Sequence, residues 1–205
     1  MSTKLISALQ EFYKENLISV YHYGSSTDQA SLRLLIILKH IHPLVLKPKK
    51  FTPPKLSFGV QYTLFSLDEM MASLDVFPME FLDMKRTRVL LFGPDSLKDV
   101  VLDTVHLRHE CEFVLRSTLL KLRSAYLLES QPQKSLIPES ISTVMTVLSG
   151  LLHLQSIDVP SDNGALVDKI SEEFSLSLPT LRAASGSISD YLIELATLVD
   201  VVDRI

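Results

Sequence analysis

A single cysteine, Cys111, is all the thiol chemistry in this 205-residue chain. No intrachain disulfide can form and no zinc site can be built on paired thiolates, so a reducing compartment is expected. No uninterrupted apolar run approaches the roughly 20 residues that a membrane-crossing helix needs. The first residues, Met-Ser-Thr-Lys and then an amphipathic pattern, do not read as a secretory signal. The expectation is a cytoplasmic protein without a membrane partner. A strong basic excess is missing too. The net charge is −4 and the pI about 5.9, which argues against a dedicated nucleic-acid binder. No 20–50-residue repeat and no low-complexity tract is present. The histidines offer two close pairs, His40/His42 and His106/His109, but neither reads as a clean metal-ligand set. Linear spacing assembles no Ser-His-Asp arrangement.

What is present is an ordinary globular composition. Apolar residues make up 46% and charged residues 21%, so the chain has enough apolar surface to bury a core and is not expected to be disordered. Charge is unevenly divided. Residues 1–102 carry 12 Lys/Arg against 10 Asp/Glu, whereas residues 103–205 carry 8 against 14. The pattern changes at the same place, from short mixed segments to long leucine-rich periodic ones. We therefore expect two domains, 1–102 and 103–205.

In the first domain, Leu5, Ile6, Leu9, Phe12, Tyr13 and Leu17 recur at helical spacing. Residues 18–24 and 31–38 read as strands joined by a polar turn. Leu34 to Leu38 is continuously apolar, which predicts a strand covered on both faces. Residues 47–57, Lys-Pro-Lys-Lys-Phe-Thr-Pro-Pro-Lys-Leu-Ser, form an irregular basic stretch, either a solvated connector or a loop that meets phosphates. Residues 61–65 read as a strand. Ser66 and Glu69 then match a capping box and open a short helix. Residues 77–85 are read as another strand with Pro78 near its start, 89–94 as a last strand and turn, and 95–101 as a short helix or turn. From Asp103 the periodicity predicts only helices, over 103–129, 134–155, 164–175, 178–185 and 188–204.

Tyr21-His22-Tyr23-Gly24-Ser25-Ser26, followed by a turn and a second strand, resembles the Gly-Ser motif of the polymerase-β-like nucleotidyltransferase superfamily. Three later stretches are similar to a group of bacterial nucleotidyltransferase-domain proteins in which a small nucleotidyltransferase domain precedes a helical bundle. They are residues 76–85, Leu91-Phe92-Gly93-Pro94-Asp95, and residues 106–112 with Leu120-Lys121-Leu122-Arg123. The resemblance spans nearly the whole chain. It implies an α+β fold: a small mixed-sheet nucleotidyltransferase domain, then a C-terminal helical bundle.

The resemblance also implies a pocket. In active members the Gly-Ser backbone and hydroxyls contact nucleotide phosphates, and carboxylates on the next strand and on a later one hold two magnesium ions. The metals neutralise the triphosphate, activate the attacking hydroxyl and stabilise the leaving oxygen. Carried onto this chain, Gly24, Ser25 and Ser26 match the phosphate-binding motif. The carboxylate positions of the second strand fall on Ser31 and Arg33. Serine is a poor magnesium ligand and arginine repels the cation. The remaining candidate acids are Asp28 in the turn and Glu80 or Asp83. Three apart on a strand, Glu80 and Asp83 point to opposite faces, so at most one faces the pocket. No metal site is expected, and Mg2+ enters only if an active enzyme has found non-standard ligands.

Arg33 has two readings: an ordinary ion pair with Glu80 or Asp83, or a cation standing in for the metal. Arg108, Glu112, Arg116 and Arg123 form a stripe on the helix 103–129. It is either a solvated surface of i,i+4 pairs or a cationic wall for the pocket. An Arg-x4-His spacing, found in some helical partners of minimal nucleotidyltransferases, is lacking. Three functions stay open. The first is a degenerate nucleotidyltransferase that still binds a nucleotide or phosphate. The second is an active nucleotidyltransferase acting on a small molecule or protein. The third is an interaction module whose helical domain forms a homodimer or binds a protein partner.

Overall fold

The computed structural model describes residues 2–24, 31–42, 59–128 and 133–205. Ser25, Ser26, Asp28 and the basic stretch 47–57 lie outside the described residues. The chain divides into two compact units, Met1–Leu102 and Asp103–Ile205.

The first unit is α+β. Helix α1 (Ser2–Tyr13) leads through a short 3-10 turn into β1 (Leu17–Tyr23), then β2 (Ser31–Leu38) and β3 (Gly59–Ser66). Helices α2 (Leu67–Ala72) and α3 (Pro78–Thr87) follow, and β4 (Val89–Phe92) completes a four-stranded mixed sheet in the order β3-β2-β1-β4. β1 runs antiparallel to β2 and to β4, while β2 and β3 are parallel. β2 is therefore internal, and Leu34 to Leu38 are buried without interruption, as a strand covered on both faces requires. Alternation sends Leu34, Ile36 and Leu38 to Leu5, Ile6 and Leu9 of α1. Leu35 and Ile37 go to the other face, with Tyr21, Tyr23, Met70, Phe81 and Met84. Ser66 begins α2 as expected: its hydroxyl accepts from the Glu69 amide, and the Glu69 carboxylate accepts from the Ser66 amide at 2.9 Å.

Residues 77–85 do not form a strand. They lie in α3, and the local chemistry explains why. Pro78 occupies the first helical turn, where its fixed φ is suited and its missing N–H costs nothing. Glu80 lies in the first turn and Lys85 and Arg86 in the last, the charge order that the helix dipole favours. The apolar residues never alternate cleanly. Met79, Phe81, Leu82 and Met84 are all buried, so burial does not follow the strict period of two that a half-covered strand shows. Glu80 and Asp83 therefore do not face opposite ways, as they would on a strand: three apart on a helix, they project to the same side.

A network fastens the end of this unit. The Arg88 guanidinium forks onto both Asp95 oxygens at 2.9–3.3 Å and also donates to the Lys85 carbonyl. The Tyr21 hydroxyl reaches Asp95 Oδ1 and the Pro94 carbonyl at 3.2 Å. The Arg88 hydrogen bonds, above all, hold the Asp95 carboxyl below the usual carboxylate range. A carboxyl depressed on folding stabilises the native state above its unfolded pKa, and that stabilisation is lost as pH falls through the folded value. Melting temperature should thus drop below about pH 4 in the native chain, and Asp95→Asn should flatten that limb of a pH series while lowering stability at pH 7.

The regular elements among the described residues of the second unit are helices: α4 (Thr104–Leu128), α5 (Gln133–Leu154), α6 (Asn163–Phe174), α7 (Pro179–Ala183) and α8 (Ile188–Val202). Asp103 accepts from the Val105 and His106 amides and caps α4. Within α5, Ser135–Leu154 is long and apolar enough to cross a membrane by length and composition, with a mean hydropathy of 1.4. More than half of that window is buried in the structure, including Val144, Val147, Leu148 and Leu151, as in a core helix. A buried hydroxyl pair, Ser140 with Tyr191 at 2.9 Å, joins α5 to α8. Cys111 lies fully inside, beside Leu107, Leu115 and Leu119 of the same helix. Burial, aided by the nearby Glu110 charge, pushes its thiol up to about 12. A thiol-specific chromogenic reagent at pH 8 should leave the native protein unmodified and titrate one thiol in guanidinium.

Candidate functional site

Among the described residues, Gly24, Arg33 and Asp83 come together where β1 ends and β2 begins. Backbone register places Arg33 opposite Tyr23 on β1 and Gln61 on β3. Alternation along β2 puts Arg33 on the face of Leu35 and Ile37. That face is covered by α3, so the side chain meets the last turns of this helix. Its Nη1 lies 4.0 Å from Asp83 Oδ2, and its guanidinium carbon is 5.8 Å from the centroid of the Tyr23 ring. The other Asp83 oxygen lies 3.3 Å from Arg86 Nη2. Side-chain exposures of 34% for Arg33, 28% for Asp83 and 30% for Arg86 leave all three within reach of a solute. At this exposure each pair is worth about 1 kcal/mol or less.

Gly24 closes the end of β1 with φ +100, a left-handed conformation that a side chain tolerates poorly. A Cβ there would stand 3.6 Å from the Arg33 side chain, which is ordinary contact. Backbone conformation, rather than space, is what calls for glycine. The Gly24 N–H donates to Thr87 Oγ1 at 2.8 Å, and that hydroxyl donates to the Asp83 carbonyl at 2.6 Å. The first amide of the Gly-Ser motif is therefore engaged by α3. On the same face, the Tyr23 and Thr63 hydroxyls are 2.9 Å apart and link β1 to β3.

Of the sequence candidates, Gly24, Arg33 and Asp83 are brought together. Ser31 opens β2 opposite Gly59, and only its backbone is described. Glu80 is exposed, one turn before Asp83 on α3. The fit to magnesium is poor. Among the described residues no group of three or more His, Cys, Asp or Glu could hold a metal ion. Asp83, the best-placed acid, already faces two guanidinium groups.

Arg108, Arg116 and Arg123 belong to α4 in the second unit. Arg108 pairs with Glu112 at 3.1 Å. Arg116 pairs with Glu112 at 2.9 Å and with Asp203 at 2.7 Å. The hydrogen bonds it donates to Asp203, then to Glu112, hold the Arg116 guanidinium above its ordinary range. Arg123 is exposed. These contacts are those of a surface stripe that ties α4 to the end of α8.

Sequence reasoning missed Tyr23, Arg86 and Thr87. The last two follow Asp83 at i+3 and i+4, so a helical reading of residues 78–87 would have grouped them with it. No family model matches this chain, and no curated protein matches it.

Proposed function

We propose that the first unit binds a phosphate-bearing ligand, a nucleotide or a simpler phosphate, in a pocket that has kept a nucleotidyltransferase shape without its two-metal chemistry. One observation carries this reading: Arg33 projects beside Gly24 and Tyr23, at a position that the resemblance assigns to a metal-binding acid. Arg33 and Arg86 both face Asp83, and a guanidinium pairs with phosphate oxygens in a two-pronged geometry. Such a pocket needs no magnesium to offset ligand charge. Asp28 and the Ser25 and Ser26 hydroxyls belong to the same reading through the resemblance. A cytoplasmic setting, where nucleotides are abundant, suits it.

A second reading has its own observation. On α4, Phe113, Leu120 and Leu127 are each at least 64% exposed and lie seven residues apart, so they share one face. This favours the second unit as an interaction module, through a homodimer or a protein partner.

Calorimetric titration of the full chain with ATP, CTP, GTP and UTP, with and without magnesium, separates the readings. Binding that does not require magnesium is the expected result. Magnesium-dependent binding with pyrophosphate release would show an active transferase and overturn the metal-free pocket. Absence of binding to all four in both conditions would leave only the interaction module.

A further inference from the structure

Resting on the reading of the β1–β2 end as an anion pocket, we infer that the Asp83 carboxylate is a built-in competitor for it. It holds Arg33 and Arg86 in the free protein and yields them to a phosphate-bearing ligand that arrives without a metal ion.

Three observations lead there. Asp83 divides its two oxygens between two cations, Oδ2 toward Arg33 at 4.0 Å and Oδ1 toward Arg86 at 3.3 Å. A phosphate group offers the same two cations more oxygens and a charge of about −1.5 to −2 in place of −1. Next, the pairs are about one-third exposed and correspondingly weak, so exchange of one anion for another does not have to break a fully buried ion pair. Finally, Asp83 sits in the C-terminal half of α3, which ends at Thr87. There the helix dipole disfavours a carboxylate, so the two arginines are what hold the acid in place. Once displaced, its carboxylate has solvent on hand.

The arrangement selects a ligand class. A magnesium chelate presents phosphate oxygens whose charge is already neutralised. It gains less from two guanidinium groups and cannot as readily drive the carboxylate off. The site therefore favours the free polyphosphate anion over its metal complex, and Asp83 sets how much anionic charge a ligand must bring.

The test uses sodium pyrophosphate as the probe, titrated calorimetrically in EDTA at fixed ionic strength into the full chain. The wild type, Asp83→Asn and Asp83→Asn/Arg33→Gln are compared. Removing the competitor should tighten binding by roughly 5- to 10-fold. The double variant should fall back to the wild-type affinity or below, because Arg33 is what the acid had occupied. If the wild type binds and Asp83→Asn binds equally or more weakly, the competitor is overturned while the pocket stands. If neither binds, the pocket reading fails and the competitor with it. A melting curve for each variant guards against a folding defect, and Asp83→Ser serves where Asp83→Asn melts early.

Discussion

Gly93→Ala should be the most damaging single-methyl change in the first unit, lowering its stability by about 3 kcal/mol or more. Two costs add. Gly93 has φ +79, where a side chain costs about 1–2 kcal/mol. A Cβ would also stand 1.9 Å from the Ile18 carbonyl oxygen, with the Ile18 carbon and the Ser19 Cα close behind. Those are backbone atoms of β1, so no rotamer change relieves the overlap. The turn after β4 must back away from the strand it pairs with, and overpacking of this kind costs about 1–3 kcal/mol. For a unit of this size the loss corresponds to a fall in melting temperature of roughly 10–20 °C, read by circular dichroism. Gly164→Ala is the control. The atoms nearest its new methyl are side-chain ends, Arg182 Nη1 at 2.5 Å and Asp162 Oδ1 at 3.1 Å, and the exposed arginine can move aside. Gly164 has no positive φ and lies in α6, so the change should stay within about 1 kcal/mol of neutral. Equal losses for the two glycines would overturn the backbone-clash argument.

Glu194→Ala should cost the second unit about 3–4 kcal/mol, unusual for removal of a charged residue. Glu194 is only 5% exposed, and its two oxygens accept from the Thr180 amide at 2.8 Å and the Leu181 amide at 2.9 Å. These are the second and third residues of α7, whose first, Pro179, has no N–H. A carboxylate from α8 thus caps α7 across 13 and 14 residues of chain. Truncation strands two buried donors, at about 1–3 kcal/mol each, and leaves a hole. Glu194→Gln keeps the volume and one acceptor, so it should lose roughly half as much. Glu172→Ala, whose side chain is 74% exposed, should be nearly silent. Chemical denaturation of the three variants checks the order, and a Glu194→Ala midpoint within error of wild type would defeat the capping role.

Much of the fold was legible because its signals are local. The β2 core reads directly from five consecutive apolar residues, and the start of α2 from Ser66 and Glu69, three apart. The failure at α3 is equally instructive. Phe77 to Lys85 mixes both periodicities, and its burial pattern suits a helix only because the sheet stands on one side of it. Pro78 and the order Glu80, then Lys85 and Arg86, were the signals to weigh, and they favour a helix start and end.

The candidate site divides along the same line. That a glycine ends β1, that an arginine stands early in β2 and that acids recur near residue 80 can be read from the chain, because identity and spacing are written along it. Which acid meets Arg33 depends on the packed fold. Asp83 lies 50 positions away and reaches it through the packing of α3 on the sheet. The structure likewise decided that Thr87 takes the Gly24 amide, and that Glu194, unremarkable in sequence, is buried as a cap. A side chain's partner at long range follows from how layers pack, and packing is a property of the whole unit that no window of neighbouring residues contains.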